Sequence, residues 1–335
     1  SVTLDPLNIA GSYYTLVITN GGQMITATNS SSVSVIGNTT ANNKVAVLGG
    51  AGGVSLWDAG GRPLYVGYYG TAATNNVLLI DGAGAPGSAM VTNIGAALAW
   101  GLYIGDSSAN NNRLIITNGG ALFDNGGYSG FNTPGNAIVV TGTGSLCSLY
   151  GLYMNGSPNT IRVENGGIMS NRYLWSRAIG NVSNQVIVSK GGRWQGYIDY
   201  LGMVGGSENN NSASLIGGEG VTSLWNFAFS GGDGWLNLYG GTNNGMFIDG
   251  VGVDWSAVAT NVSWISVGSG NSGVGCGASV NDALIVTNKG RLYASGALTV
   301  GNTAVHPADG KPGTNNAVVV AEGGKMFVAG LTIGS

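Results

Sequence analysis

An internal repeat constrains this chain more than any other feature of its sequence. A short apolar run that enters a glycine turn recurs as LVITNGG, VAVLGGAGG, LLIDGAG, LIITNGG, IVVTGTG, IRVENGG, VIVSKGG, SLIGGEG, MFIDGVG, LIVTNKG and VVVAEGG, eleven copies in all. The copies begin at Leu16, Val45, Leu78, Leu114, Ile138, Ile161, Val186, Ser214, Met246, Leu284 and Val318, separated by 23 to 38 residues. A fixed motif at variable spacing means loops of variable length on a constant core.

Two further signals lie between copies. A second motif reads LYVG at Leu64, LYIG at Leu102, LYMNG at Leu152, ISVG at Ile265, LTVG at Leu298 and LTIG at Leu331. Asn-rich loops then lead into the next copy, as in TAATNN, SSANNN, SENNNS and PGTNN. A short strand opening as G-x-Leu or G-x-Met sits between the two motifs, with Met24, Leu122, Leu146, Leu292 and Met326 at its second position and Trp194 as a bulky variant.

Gly and Asn tolerate the positive φ that tight corners demand, so their recurrence marks corners. Glycine costs about 1 kcal/mol per helix-interior position, and the apolar residues alternate with period two, so helices are disfavoured. A single repeat buries too little to stand alone, whereas coils stacked about 4.8 Å apart share one core. The sequence therefore predicts an all-β, single-stranded, right-handed parallel β-helix, a β-solenoid of about eleven coils with about three short strands each. One domain is expected over 1–335, with a partial coil over 1–15 and the repeats over 16–335.

Alternation predicts which side chains point inward. Arg162 in IRVENGG cannot lie in a dry core, so Ile161 and Val163 face in. By the same parity Leu16 and Ile18, Leu114 and Ile116, Val186 and Val188, Leu284 and Val286, and Val318 and Val320 are expected to face in as well. The outward column then reads Val17, Ala46, Leu79, Ile115, Val139, Arg162, Ile187, Leu215, Phe247, Ile285 and Val319. So long an apolar stripe predicts a covered face, packed on another chain or on an apolar ligand. In the LYxG strands, Tyr65, Tyr103 and Tyr153 are expected to project outward as a short ladder, a candidate platform for glycan rings.

Composition removes several function classes. Only 12 basic and 15 acidic side chains are spread along 335 residues, which leaves no basic patch for nucleic acid and no polybasic segment for anionic lipid. No stretch has the roughly 20 consecutive apolar residues of a membrane span. The start at Ser1 is consistent with removal of a signal peptide, and the expected location is extracellular or cell-surface. Cys147 and Cys276 stand far apart and read as buried thiols. With His306 the single histidine, a Cys/His metal site is not expected. GGDG at Gly231 is one fragment of a calcium-binding pattern and reads as a polar turn. Asp81 and Asp249 hold equivalent repeat positions in distant coils, and Asp249 and Asp254 flank a turn with no nearby basic residue. No catalytic, cofactor-binding or metal-binding residue is assigned, and no cofactor is expected.

The repeats resemble the passenger repeats of bacterial autotransporters and of surface proteins carrying PEP-CTERM sorting signals. ALIVTNKGRLYASGALTVGN, from Ala283 to Asn302, and AVVVAEGGKMFVAGLTIGS carry the resemblance best. It implies a secreted β-helix on a bacterial surface and implies no catalytic residue.

The first and last segments echo one another, since Leu7 to Ser12 repeat the pattern of Leu331 to Ser335. Head-to-tail stacking through Val2, Leu4, Leu7 and Ile9 on one side and Leu331 and Ile333 on the other would pair these strand edges, with Asn side chains laddering along the axis. The leading functional expectation is a self-assembling subunit of an extracellular filament or surface assembly. A monomeric adhesin or carbohydrate-binding passenger domain is the alternative.

Overall fold

The computed structural model describes residues 1–26, 33–95, 100–126, 128–176, 183–201, 209–228, 234–238, 241–268, 279–301 and 313–334. Among these there is no helix, and every strand pairing is parallel. The chain divides into two compact units, Ser1–Asn171 and Arg172–Ser335.

Each of the eleven sequence copies is one strand of the first wall. In the first unit these are Thr15–Thr19, Lys44–Leu48, Val77–Asp81, Arg113–Thr117, Ala137–Thr141 and Thr160–Glu164. In the second they are Gln185–Ser189, Ser212–Ile216, Gly245–Asp249, Ala283–Thr287 and Ala317–Val320. Within each unit neighbouring copies pair residue for residue, as in Leu78↔Leu114↔Ile138↔Ile161 and Ala213↔Met246↔Leu284↔Val318. Unbroken parallel register over successive repeats is the signature of a parallel β-solenoid, and that is the fold of each unit.

The second wall carries the G-x-Leu and LYxG motifs, as separate strands such as Ala89–Ile94 and Trp100–Asp106 or as one bent strand such as Leu146–Met154 and Ala257–Val267. The bends fall at residues with positive φ, Asn93 (φ 58°) and Asn261 (φ 58°), where the register shifts locally.

The core is a set of apolar columns. Val45, Val47, Leu78, Ile80, Leu114, Ile116, Ile161 and Val163 are wholly buried from the first wall, and Trp57, Val91, Leu122 and Cys147 form a facing column from the second. The second-wall column runs through Cys147, not Leu146, because Leu122 pairs with Cys147. In the second unit Trp194 stacks on Trp225 at 5.0 Å, and these two indoles fill that unit's own second-wall column. Of the four tryptophans in the region the repeats describe least well, Trp225 is core, whereas Trp235, Trp255 and Trp264 are half-exposed.

The Asn-rich loops supply the third corner by a two-residue device. The first residue takes positive φ, as at Asn75 (56°), Asn111 (55°), Asn210 (58°) and Asn243 (59°). The second turns its side chain inward, where Asn76, Asn112, Asn211 and Asn244 are buried. The LYxG glycine makes room for it: Gly67 has φ +80°, and a Cβ there would collide with the Asn112 amide. Motif two and the Asn loop of the next coil are thus two halves of one corner.

Candidate functional site

The inward asparagines form amide ladders along each unit. In the first, the Asn43 backbone N–H and Nδ2 both donate to Asn76 Oδ1 at 3.0 Å, and Asn76 donates in the same way to Asn112 Oδ1 at 2.9 and 3.0 Å. Asn112 and Asn136 continue the ladder through their backbone N–H groups to Asn136 and Asn159 Oδ1, each at 2.8 Å. A buried amide satisfied on both sides costs little and fixes coil spacing, whereas an unsatisfied one would cost about 1–3 kcal/mol.

In the second unit the ladder runs Asn184, Asn211, Asn244, Asp282, Asn316. Asp282 is the one acid in it. Its Oδ1 accepts the Asn244 backbone N–H at 2.9 Å and Nδ2 at 3.2 Å, but its buried Oδ2 has no hydrogen-bond partner. Burial pushes its carboxyl up to about 7, against the opposing pull of the Asn244 and Ser279 hydrogen bonds. Sequence reasoning missed this position, although VNDA standing where TNN, NNN and TNN recur is a visible signal.

The outward column of the first wall lies as follows. Val17, Phe247 and Val319 are exposed, and Leu79, Ile115, Val139, Ile187 and Ile285 are half-buried on the outer face. Two residues are corrected. Leu215 is fully buried, because Ala213 and Leu215 pair with Met246 and Ile248, which places Ser214 on the outer face. Ala46 is also covered. The stripe is therefore interrupted at Arg162 and Ser214.

The tyrosine ladder is corrected as well. Tyr103 is buried and stacks on Tyr65 with centroids 5.3 Å apart, so the ring face that a sugar would need is already taken. Between Tyr103 and Tyr153 the register places Gly130, which breaks the column. Desolvation dominates at both phenols, raising Tyr65 to about 12 and Tyr103 further.

Among the described residues the exposed tyrosines, Tyr13, Tyr14, Tyr69 and Tyr150, lie in the first unit, and the exposed tryptophans and phenylalanines lie in the second. Trp255, Tyr293 and Phe327 form a stack with centroids 6.0 and 4.8 Å apart, and Arg291 lies 3.8 Å above the Trp255 ring. Arg291 also pairs with Asp254 at 3.4 Å and donates to the Tyr293 hydroxyl at 3.2 Å. The basic partner that Asp254 lacks in sequence thus arrives from the next coil. On the second wall Trp235 and Trp264 are register partners, 50% and 47% exposed.

The scattered carboxylates serve turns. Asp81 Oδ1 accepts the Ala83 N–H at 2.8 Å and Asp249 Oδ1 the Val251 N–H at 2.7 Å. Asp81 stands between Leu48 and Thr117 in register, and Asp249 between Ile216 and Thr287, so neither has an acidic neighbour across the strands. Asp124 is buried, accepts from Ser129 and Gly126, and is pushed up to about 6 chiefly by desolvation. Cys147 is a buried free thiol, its ionisation pushed up by the same effect. Among the described residues no three His, Cys, Asp or Glu side chains converge on a metal position. Cys276, His306 and residues 231–233 of the GGDG segment lie outside the described residues.

No family model matches the chain. Nor does any curated protein. Among solved structures, a crystal structure of a TibC-catalysed, hyper-glycosylated TibA fragment aligns over 97% of this chain and 100% of that one, with 12% identity and a TM-score of 0.32.

The residues expected to meet head to tail occupy matching columns within their own units. Leu7, Asn8 and Ile9 head the column that continues as Ser34, Val35 and Ile36 and then Leu64, Tyr65 and Val66. Leu331, Thr332 and Ile333 continue Leu298, Thr299 and Val300. Val2 is exposed and pairs with Met24; Leu4 pairs with Thr26. Val320, Leu331 and Ile333 are 45%, 59% and 69% exposed and border an open apolar hollow of about 480 Å³ with Leu298, Val300 and Met326.

Proposed function

We propose that this chain is a structural β-solenoid of an extracellular or cell-surface assembly, which stacks coil on coil with further copies of itself and performs no catalysis. The observation that carries the reading is the equivalence of its coils. Leu7-Asn8-Ile9 and Leu331-Thr332-Ile333 present the same apolar–polar–apolar pattern in the wall that the LYxG motif builds. Leu331 and Ile333 offer to a further coil the apolar area that Leu298 and Val300 bury against their own neighbours. Pairing on such an edge is β-strand addition, with affinity from main-chain bonds and from burial at about 25 cal/mol per Å².

The half-exposed column of Leu79, Ile115, Val139, Ile187 and Ile285 supports side-by-side packing as a second contact of the same assembly. A low charge density supports both, because like copies repel one another little.

The test is sedimentation velocity and negative-stain microscopy of the chain and of a Leu331→Lys, Ile333→Lys double variant. Both side chains are exposed, so the variant is expected to fold. Concentration-dependent rods that lengthen in the parent chain and stay short in the variant are the expected result. A parent chain that remains a single particle across the accessible concentration range refutes the reading.

A further inference from the structure

The corner pair of each coil makes a fixed set of bonds to the coil that follows. Its first residue donates a backbone N–H to a main-chain carbonyl there, as Asn42 does to Thr74 O at 3.0 Å and Asn210 to Thr242 O at 2.9 Å. Its second donates a backbone N–H to the next rung's side-chain oxygen, as Asn76 does to Asn112 Oδ1 at 2.9 Å and Asp282 to Asn316 Oδ1 at 2.9 Å. Asn316 leaves this forward half unused. Its Nδ2 donates backward to Ser279 O at 3.2 Å, but its backbone N–H has no acceptor among the described residues. Room for a further rung is present as well. A Cβ on Gly67 or Gly268 would collide with the rung amide of the next coil, Asn112 or Asn316, whereas at Gly301 (φ +66°) no atom of the described residues lies within 4 Å of that position.

The coil face lined by Leu7 and Ile9 carries the same corner pair with different side chains. Tyr13 has φ 67° and donates its N–H to Ala41 O at 3.1 Å; Tyr14 donates its N–H to Asn43 Oδ1 at 3.0 Å, and its carbonyl accepts the Lys44 N–H at 2.9 Å. These are the bonds of a corner pair, so Tyr14 stands at a rung position. The two coil faces match around it. Leu7, Ile9, Tyr14, Thr15 and Leu16 border an open hollow of about 280 Å³, and Leu331, Ile333, Asn316, Ala317 and Val318 border the other at equivalent positions. The rung is where they differ. An asparagine places its carbonyl oxygen two bonds beyond Cβ, whereas the single oxygen of a tyrosine lies at the far end of the ring. The Tyr14 ring lies against Gly11, where a Cβ would collide with it.

We propose that Tyr14 is a built-in brake on the stacking of copies. When the Leu7 and Ile9 face of one copy meets the Leu331 and Ile333 face of another, Tyr14 denies the Asn316 N–H the acceptor that Asn76, Asn211 and Asp282 each receive from the next rung. Burying that donor without a partner makes the junction weaker than the coil contacts inside the chain. The occupant is a second copy because the hollows and strand patterns correspond position for position, with this one exception. The inference rests on the assembly reading and names the residue that limits it.

The experiment is sedimentation velocity of the full chain over a concentration series, comparing the parent with Tyr14→Asn and Tyr14→Leu. Tyr14 is 61% exposed and holds Asn43 through its backbone, so both variants are expected to keep the parent circular dichroism spectrum. Tyr14→Asn supplies the missing carbonyl and is expected to tighten self-association about tenfold or more, in keeping with one buried donor satisfied. Tyr14→Leu removes the phenol without supplying an acceptor and is expected to stay within about threefold of the parent. Adding Leu331→Lys and Ile333→Lys to Tyr14→Asn is expected to cancel the gain, which places it at the coil faces. A parent that associates and gains nothing from Tyr14→Asn overturns the brake and leaves the assembly reading standing. Equal gains from Asn and Leu also overturn it, since loss of the ring and not supply of the acceptor is then the cause. A parent that stays single while Tyr14→Asn assembles supports the brake and refutes the assembly reading for the parent. Single particles in all three chains overturn both.

Discussion

Asp282→Asn should stabilise the second unit, by an amount set by pH. In the unfolded chain the carboxyl ionises near its ordinary 3.8, and in the fold only near 7. Between those values the folded chain keeps a proton that the unfolded chain has released, so stability falls as pH rises through the window, at about 1.4 kcal/mol per pH unit. The penalty is absent below pH 3.8, grows to roughly 4 kcal/mol near pH 7, and is constant above. Its cause is legible in the ladder. Asn43 and Asn211 each use Nδ2 to donate to the next rung, at 3.0 and 3.1 Å, while ionised Asp282 offers Asn316 no side-chain donor. An amide at 282 restores that donor and cannot ionise. Urea unfolding of parent and variant at pH 5, 6, 7 and 8, followed by circular dichroism, gives the difference directly and cancels the other titrating groups. The variant should exceed the parent by about 2–4 kcal/mol at pH 8, the lower value allowing for relaxation around the ionised carboxylate, and the gap should shrink steadily toward pH 5. A gap independent of pH, or a variant weaker than the parent at pH 8, refutes the account.

Other consequences of the corner and of the core parity can be measured in the same way. Asp124→Asn should remove a shallower pH dependence: folded Asp124 ionises near 6, so the parent loses stability between about pH 4 and 6 and the variant does not. Gly67→Ala should cost at least 1–2 kcal/mol from its positive φ and the collision with Asn112, and much of the collision should vanish in an Asn112→Ala background, so a double-mutant cycle in chemical denaturation should show coupling of about 1 kcal/mol. Leu215→Ala should cost about 2–5 kcal/mol as a core truncation, whereas Ile115→Thr on the outer face should cost under about 1 kcal/mol; equal losses in thermal melts would reverse the corrected parity.

Repetition made the architecture legible. The eleven copies are the eleven strands of the first wall, and Arg162 fixed the parity of its own copy because a charge cannot sit in that core. Parity failed at Leu215 for a physical reason. In ASLIGG the inward pair is Ala213 and Leu215, and alanine does not announce a core position beside the larger Leu215 and Ile216. Leu146 and Cys147 fail alike: two apolar neighbours leave alternation with no polar residue to break the tie. Tyr103 shows a different limit. Alternation gives direction, but burial depends on what the neighbouring coil brings, and there Tyr65 covers the ring.

The ladder also explains how loops of such different length are tolerated. Each rung delivers two residues to the third corner, the first at positive φ in most coils and the second with an inward amide or, at Asp282, a carboxyl, whatever lies before them. Pro158 and Gly135 stand where other coils have the positive-φ asparagine, yet Asn136 and Asn159 still turn inward and stay buried. Because each rung spends its acceptor on the backbone N–H of the preceding coil, the amides set the coil spacing locally, and variation between coils is pushed outward into the loops. A rung that titrates is then the place where that spacing responds to solvent conditions. Asp282 opens the coil whose strands pair directly with those of the coil that carries Leu331 and Ile333. If stacking uses the face of that last coil, assembly should be stronger at pH 5 than at pH 8 in the parent chain, and Asp282→Asn should remove the difference. Light scattering at the two pH values decides it, and a dependence that persists in the variant would separate the ladder from the assembly.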